Sequence, residues 1–584
     1  MADTAPSEIV LHGIAASPGI VIGKAYVFAK PTPRVEEKVI AEADVAAELD
    51  RLTHAIERSE KELQKVLKLT EQKVGSQKAS IFEAQIMILS DAVLFGTVRK
   101  KIQKDLKSAE FIVHREISKY QQMMMNSEDE YLRERAHDVE DVKNRLIRNI
   151  QQQKLISRFE PGSVVISEIL TPADTVLFSR NEVLAYATDL GGVTSHAALL
   201  SRSLNIPSVV GLKTVMKMVQ PGDTIVVDGY TGTVIIHPTP ETLARCHERR
   251  EEHARFDKEL TQLKELPAQT TDGHTVRLLC NIEFSEEAGN IAASGSNGIG
   301  LYRTEGLFLR TENYPTEEEQ YQEYRAIVEK ARPHKVVMRV LDIGGDKDVS
   351  NTRSEENPFL GWRGIRLLLD RPDVFTTQLK AMLRASAHGE VWIMLPMISG
   401  VKEIRRSKEM LEEAKSELRQ QGIPFDENIR IGAMIEVPAA AVTAGEIAQE
   451  TDFLSIGTND LIQYLMAVDR GNDSVSDLYQ EFHPAVIRTI RFIILEAHRA
   501  GKSVSMCGEM AGDPVALLLL LGLGLDEFSM TPHILPEIKK IIRSVSFAEA
   551  QEIARRVNEM RTEDDVKDFL RVNLSTMVPE LLLE

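Results

Sequence analysis

Cysteine is scarce in this chain. Cys246, Cys280 and Cys507 are the only three in 584 residues, they lie far apart, and none belongs to a CxxC pair. That excludes a disulfide framework and a zinc ribbon, and fits three free thiols in a reducing compartment. No apolar run reaches the roughly 18 residues needed to span a bilayer, and Met1 to Pro6 lack the basic and then apolar pattern of a secretory leader. The expectation is a cytoplasmic protein with no direct membrane insertion. Positive charge is in deficit, with 70 Lys plus Arg against 88 Asp plus Glu and a net charge of −18. The balance argues against a nucleic-acid binder and leaves room for a basic protein partner. At this length one core does not suffice, and three or four domains are expected.

What is present falls into segments. Residues 8–28 hold apolar pairs broken by Gly and Pro, which reads as short strands joined by turns. From Val35 to about Ile150 the pattern is helical: Val45, Leu49, Leu52, Ile56, Leu63 and Val66 follow alternating steps of four and three, with Ser59 out of type. Amphipathic stretches at 81–95, 111–125 and 136–150 complete a four-helix unit. Met87 and the Met123-Met124-Met125 run are assigned to core or cap filling, with a partner-docking surface as the alternative. Strand-like runs return at 163–166, 183–187, 208–210, 224–228 and 233–236. They predict an α/β domain of residues 151–238 whose sheet residues 1–28 complete, with the helical unit of residues 29–150 inserted. A charged, uninterrupted helical stretch, residues 239–267, reads as a linker. Across residues 268–584, eight apolar runs beginning at Val276, Gly298, Val336, Val391, Ile431, Phe453, Ser503 and Asp526 alternate with helical segments. Eight βα units predict a TIM (β/α)8 barrel with its active site at the C-terminal ends of the strands.

Two places carry chemistry. In Gly191-Gly192-Val193-Thr194-Ser195-His196, a strand is followed by a glycine turn, and Ser195 is placed to cap a helix running through Leu204. His196 then sits at a helix N-terminus, where free N–H groups and the dipole favour an anion and disfavour imidazolium. A phosphoryl group carried on its imidazole fits that field; a structural capping role is the alternative. The second place is the set of strand ends in the barrel. Past the second strand stand Arg303 and Glu305, in and past the third Arg339 and Asp342, past the fifth Glu436, past the sixth Asn459, Asp460 and Arg470, and past the seventh Cys507 and Glu509. Arginines converging with carboxylates suit a phosphorylated, carboxylated small molecule bridged by a divalent cation.

The whole chain resembles the enzyme I family of the bacterial phosphoenolpyruvate-dependent sugar phosphotransferase system. The resemblance is carried by Ala16-Ser17-Pro18-Gly19, Gly191 to His196, Gly300-Leu301-Tyr302-Arg303-Thr304-Glu305, Asp342-Ile343-Gly344-Gly345-Asp346-Lys347, Asn357 to Arg363 and Gly508-Glu509-Met510-Ala511-Gly512. It implies a swivelling phosphohistidine domain with a helical insert that docks the carrier HPr, and a barrel that binds phosphoenolpyruvate and dimerises. It implies that His196 takes the phosphoryl group on Nε2 and hands it to a histidine of HPr. Arg303, Arg339, Asn459 and Arg470 match phosphate-holding positions, and Arg363 matches another substrate-site arginine. Glu436 and Asp460 match Mg²⁺ ligands, and Cys507 matches the acid that protonates the enolate carbon. Pyruvate phosphate dikinase and phosphoenolpyruvate synthase share these parts but also need an ATP-binding domain. The 195 residues before His196 are mostly helical in pattern and hold no glycine-rich phosphate loop.

Overall fold

Strands β1 (Ile9–His12), β2 (Ile14–Ser17) and β3 (Ile20–Phe28) join β4 (Ser163–Ser167), β5 (Ala185–Thr188), β6 (Ser208–Val210), β7 (Thr224–Asp228) and β8 (Thr233–Ile236) in one sheet of order β1-β8-β7-β3-β4-β5-β6-β2. The computed structural model describes residues 7–28, 35–74, 76–125, 130–152, 161–180, 182–192, 195–309, 313–344, 357–470, 472 and 474–579. The chain divides into two units between His253 and Ala254. The N-terminal strands complete the sheet as expected: β3 pairs in parallel with β4, Lys24 opposite Ser163. All the helices of the insert lie in the chain between these two paired strands.

Among the described residues the insert has five helices, not four: α1 (Val45–Val74), α2 (Ser76–Leu89), α3 (Ala92–Asp105), α4 (Ala109–Met125) and α5 (Glu130–Ile150). The stretch read as one helix over 81–95 is broken because the Asp91 side chain accepts from the N–H groups of Val93 and Leu94 and starts a new helix there. Ser59, the misfit of the α1 pattern, is fully buried; its hydroxyl donates to Ala55 O at 2.7 Å and accepts from Asn149 Nδ2 at 2.8 Å. The methionines depart from the core-filling expectation. Met87, Met123 and Met125 are exposed, and only Met124 packs against the core. The buried stripe of α4 is Ala109, Ile112, Val113 and Ile117; seven residues beyond Ile117 the helical period returns to Met124 and leaves its neighbours on the flanks.

The helix His196–Ser203 is packed onto this insert. Its Leu200 is buried in the same cluster as Leu52, Phe82, Phe95 and Ile112. The expected linker is a single helix, Pro240–Leu263, whose first half belongs to the first unit: Cys246 is buried with Ile20, Val226 and Ile235, and Arg249 pairs with Asp228 at 2.6 Å.

In the second unit all eight expected strands form and close one parallel barrel. They are β9 (Arg277–Ile282), β10 (Gly298–Arg303), β11 (Lys335–Arg339), β12 (Val391–Leu395), β13 (Arg430–Ile435), β14 (Phe453–Ile456), β15 (Ser503–Met506) and β16 (Glu527–Met530). β16 pairs back on β9 and seals the ring. At the start of the strands Lys335 and Glu527 form a buried pair at 2.7 Å, and the Lys335 ammonium lies 3.8 Å from the centre of the Trp392 ring. That end is filled, so the open end lies at the C-terminal ends of the strands. Among the described residues, no helix is long and apolar enough to cross a membrane.

Candidate active site at the barrel mouth

The C-terminal strand ends bring two buried guanidiniums among carboxylates. Arg339, the last residue of β11, donates to Glu305 Oε1 at 2.8 Å and lies 3.2 Å from Asp342 Oδ2. Arg363 grips Asp342 with two hydrogen bonds, Nε to Oδ1 at 3.2 Å and an Nη to Oδ2 at 2.8 Å, and reaches Asp460 at 3.2 Å. Gly344 makes that approach possible. Its φ is +137°, and a Cβ there would stand 2.4 Å from the Arg363 Cβ. Burial opposes charge on both arginines, yet Glu305 and Asp342 around the first and Asp342 and Asp460 around the second hold them firmly protonated.

Glu436, just past β13, is almost fully buried and accepts from the Met397 N–H at 2.6 Å. Burial first, and then Asp460 and Asp342, push its carboxyl well above the ordinary range, with Arg339 and Arg363 opposing. A carboxyl penalised by neighbouring carboxylates fits a hard cation between them. Among the described residues no three His, Cys, Asp or Glu side chains form a metal cage. A cation held by Glu436 and Asp460 would need further oxygens from a ligand or water. Orphaned polar atoms point the same way: Glu305 Oε2 and Arg339 Nε are buried with no hydrogen-bond partner among the described residues.

Cys507 is buried just past β15 and lines a cavity of about 400 Å³ with Arg303, Asn281, Glu509 and His533. Arg303 is exposed at its edge. Asn459 sits across from Glu509: its Nδ2 donates to the Glu509 carboxylate and its Oδ1 accepts the Glu509 N–H, both at 2.9 Å, while Arg470 lies 3.8 Å from the same carboxylate.

Three family models match in sequence: PEP-utilising enzyme, N-terminal, over residues 12–135; its mobile domain over 159–232; and its PEP-binding domain over 257–547. Relatives named phosphoenolpyruvate-protein phosphotransferase are 43% identical in Geobacillus stearothermophilus, covering 97% of this chain and 99% of that one, 41% identical in Bacillus subtilis over 96% and 99%, and 40% identical in Haemophilus influenzae over 96% and 98%. The chain belongs to the phosphoenolpyruvate-protein phosphotransferase family.

In this family member the other sequence-predicted group belongs to the first unit. Gly191 has φ +116°, which favours glycine, and Ser195 caps the helix that His196 opens, accepting from the Ala198 N–H at 3.3 Å. Val193, Thr194 and the His196 side chain lie outside the described atoms, as do Gly345, Asp346 and Lys347 of the other motif. The structure brings Arg339, Arg363, Glu436 and Asp460 into one network and joins Asn459 to Arg470 through Glu509. Sequence reasoning did not assign roles to Glu305, Asp342, Glu509 or Ser455. The first three stand in the quoted motifs, so a strand-end position was the signal available for them. Ser455 gave none, being a small residue inside a strand.

Proposed function

We propose that the protein takes the phosphoryl group of phosphoenolpyruvate onto His196 Nε2, releases pyruvate, and passes the group to a histidine of the small carrier HPr, the first step of sugar uptake. The observation that carries this reading is the barrel mouth: Arg339 and the buried Arg363 held among carboxylates, and a cavity lined by Arg303 and the buried Cys507 thiol.

Arg303, Arg339, Asn459 and Arg470 hold the phosphate, and Arg363 is a further substrate arginine. Glu436 and Asp460 would hold Mg²⁺, which when bound neutralises charge on phosphate and enolate oxygens. As the enol phosphate bond breaks, the arginines meet the growing enolate charge from fixed positions. Cys507 then gives its proton to the methylene carbon. On the other unit, the N-terminus of the helix His196–Ser203 favours the dianionic group on His196.

The net charge of −18 suits a basic carrier, and the exposed Met87, Met123 and Met125 on α2 and α4 offer adaptable apolar contact. The working division stays as the sequence suggests: phosphohistidine domain 1–28 and 151–238, carrier-binding insert 29–150, linker 239–267, and barrel 268–584. We assign homodimerisation to the barrel and a cytoplasmic location to the whole.

Labelled phosphoenolpyruvate with Mg²⁺ tests the reading. The expected product is an acid-labile, base-stable phosphoprotein, lost in His196→Ala while phosphoenolpyruvate still binds. Labelling that survives His196→Ala moves the acceptor elsewhere, and binding without labelling leaves a regulator rather than an enzyme.

A further inference from the structure

Ser455 is a buried polar side chain that the reaction above leaves unused. It lies on β14 two residues after Phe453, which faces the barrel interior in one cluster with Trp392 and Cys507. Strand alternation puts Ser455 on the same inner face. It is fully buried, and its hydroxyl donates to Cys507 Sγ across 3.4 Å. The thiol is itself aimed at Ile456 O at 3.8 Å. β14 and β15 pair in parallel and the Cys507 N–H donates to Ile456 O at 3.1 Å, so backbone pairing holds hydroxyl and sulfur together. Alanine would fill nearly the same volume without a polar atom to satisfy, so packing does not require the oxygen.

We propose that Ser455 is a positioning residue for the proton donor: its hydroxyl keeps Cys507 Sγ at the reacting carbon and stabilises the thiolate left when the proton has gone. This rests on the reading of Cys507 as the acid. In that step the S–H bond breaks and its electron pair stays on sulfur. The C=C pair of the enolate takes the proton to form the new C–H bond, and the enolate oxygen becomes a carbonyl. Water entering the cavity later returns the proton to sulfur. A hydrogen bond to a charged acceptor is stronger than one to a neutral acceptor, so the Ser455 contribution grows as the charge develops. The sulfur is faced by Arg339 from β11, Arg303 from β10 and Glu436 from just past β13. Burial pushes the thiol up, Ser455 and the two arginines oppose, and Glu436 adds to the rise.

The test compares Ser455→Ala, Ser455→Thr and Cys507→Ala in the full chain. Ser455→Ala is expected to lose about 10- to 100-fold in kcat for pyruvate formation, with KM for phosphoenolpyruvate and phosphoryl exchange with HPr unchanged. Its Cys507 peptide, followed by mass spectrometry, should reach half-alkylation by iodoacetamide about one pH unit or more higher. Ser455→Thr restores the hydroxyl and should recover that midpoint, and in a Cys507→Ala background Ser455→Ala should cost nothing further. A wild-type midpoint and kcat in Ser455→Ala overturn the proposal, as does equal loss of both half-reactions. Full turnover in Cys507→Ala overturns instead the assignment of Cys507 on which it rests.

Discussion

Asp342 is shared by two arginines and has its own N–H bonded to Glu305 Oε1 at 2.9 Å. With Glu305, Glu436 and Asp460 it makes four carboxyl groups around the guanidiniums of Arg339 and Arg363, and burial together with Asp460 and Asp342 favours the protonated form of Glu436. A cation bound there would offset that penalty. Glu436→Gln and Asp460→Asn each replace an anionic oxygen by a neutral amide, a poorer partner for a hard cation. Each should raise the Mg²⁺ concentration for half-maximal pyruvate formation by about tenfold or more. A magnesium titration of turnover checks this, and midpoints equal to wild type would remove both residues from the metal site.

Individual elements are tied down by side chains that close distant backbone. Lys539, on the helix Leu535–Ser544, is buried and donates from Nζ to Lys264 O at 2.8 Å and Gly295 O at 2.9 Å. Burial pushes its ammonium down to about 8 from near 10.5, with Arg543 adding to the fall. Between these values the unfolded chain holds a proton that the native chain has released, so unfolding takes up protons and this contribution to stability rises with pH. Below about 8 both states are charged and the contribution is flat. Chemical denaturation from pH 7.5 to 10.5 should show wild type gaining stability relative to Lys539→Met across that window. A constant difference would mean that Lys539 titrates like an exposed lysine.

At the scale of the whole molecule, the helix that His196 opens shares a buried cluster with the helical insert, and the first half of the helix Pro240–Leu263 is packed on the same unit. The helix opened by His196 and the insert therefore share one core in the chain before Ala254. Every arginine and carboxylate assigned to phosphoenolpyruvate and Mg²⁺ comes later in the sequence. On the proposed function His196 meets phosphoenolpyruvate at the barrel and the carrier in turn, and we propose a hinge motion with its pivot in residues 239–267. A fragment of residues 1–266 should fold alone, exchange label reversibly with phosphorylated HPr, and stay inert to phosphoenolpyruvate. Far-UV circular dichroism and label transfer check it; a folded fragment that takes no label from HPr would make the barrel part of the carrier site.

The sequence by itself determined the elements whose signals are short-range. Eight apolar runs became the eight strands of the barrel, and the glycine turn with Ser195 became a capped helix opening at His196, because strand period and capping depend on residues a few positions apart. The arginines and carboxylates were legible as strand-end residues for the same reason. Their partners were not. The hydrogen bonds joining Arg363 to Asp342, Asp342 to Glu305 and Ser455 to Cys507 span 21, 37 and 52 positions, and only closure of the barrel decides which strand ends become neighbours. Periodicity can phase Met124 with Ile117, but which face of α4 is covered depends on where α4 meets its neighbours. Tertiary structure alone set which polar atoms are buried together, and burial is what turns a hydroxyl beside a thiol, or a carboxylate beside a carboxylate, into a chemical property.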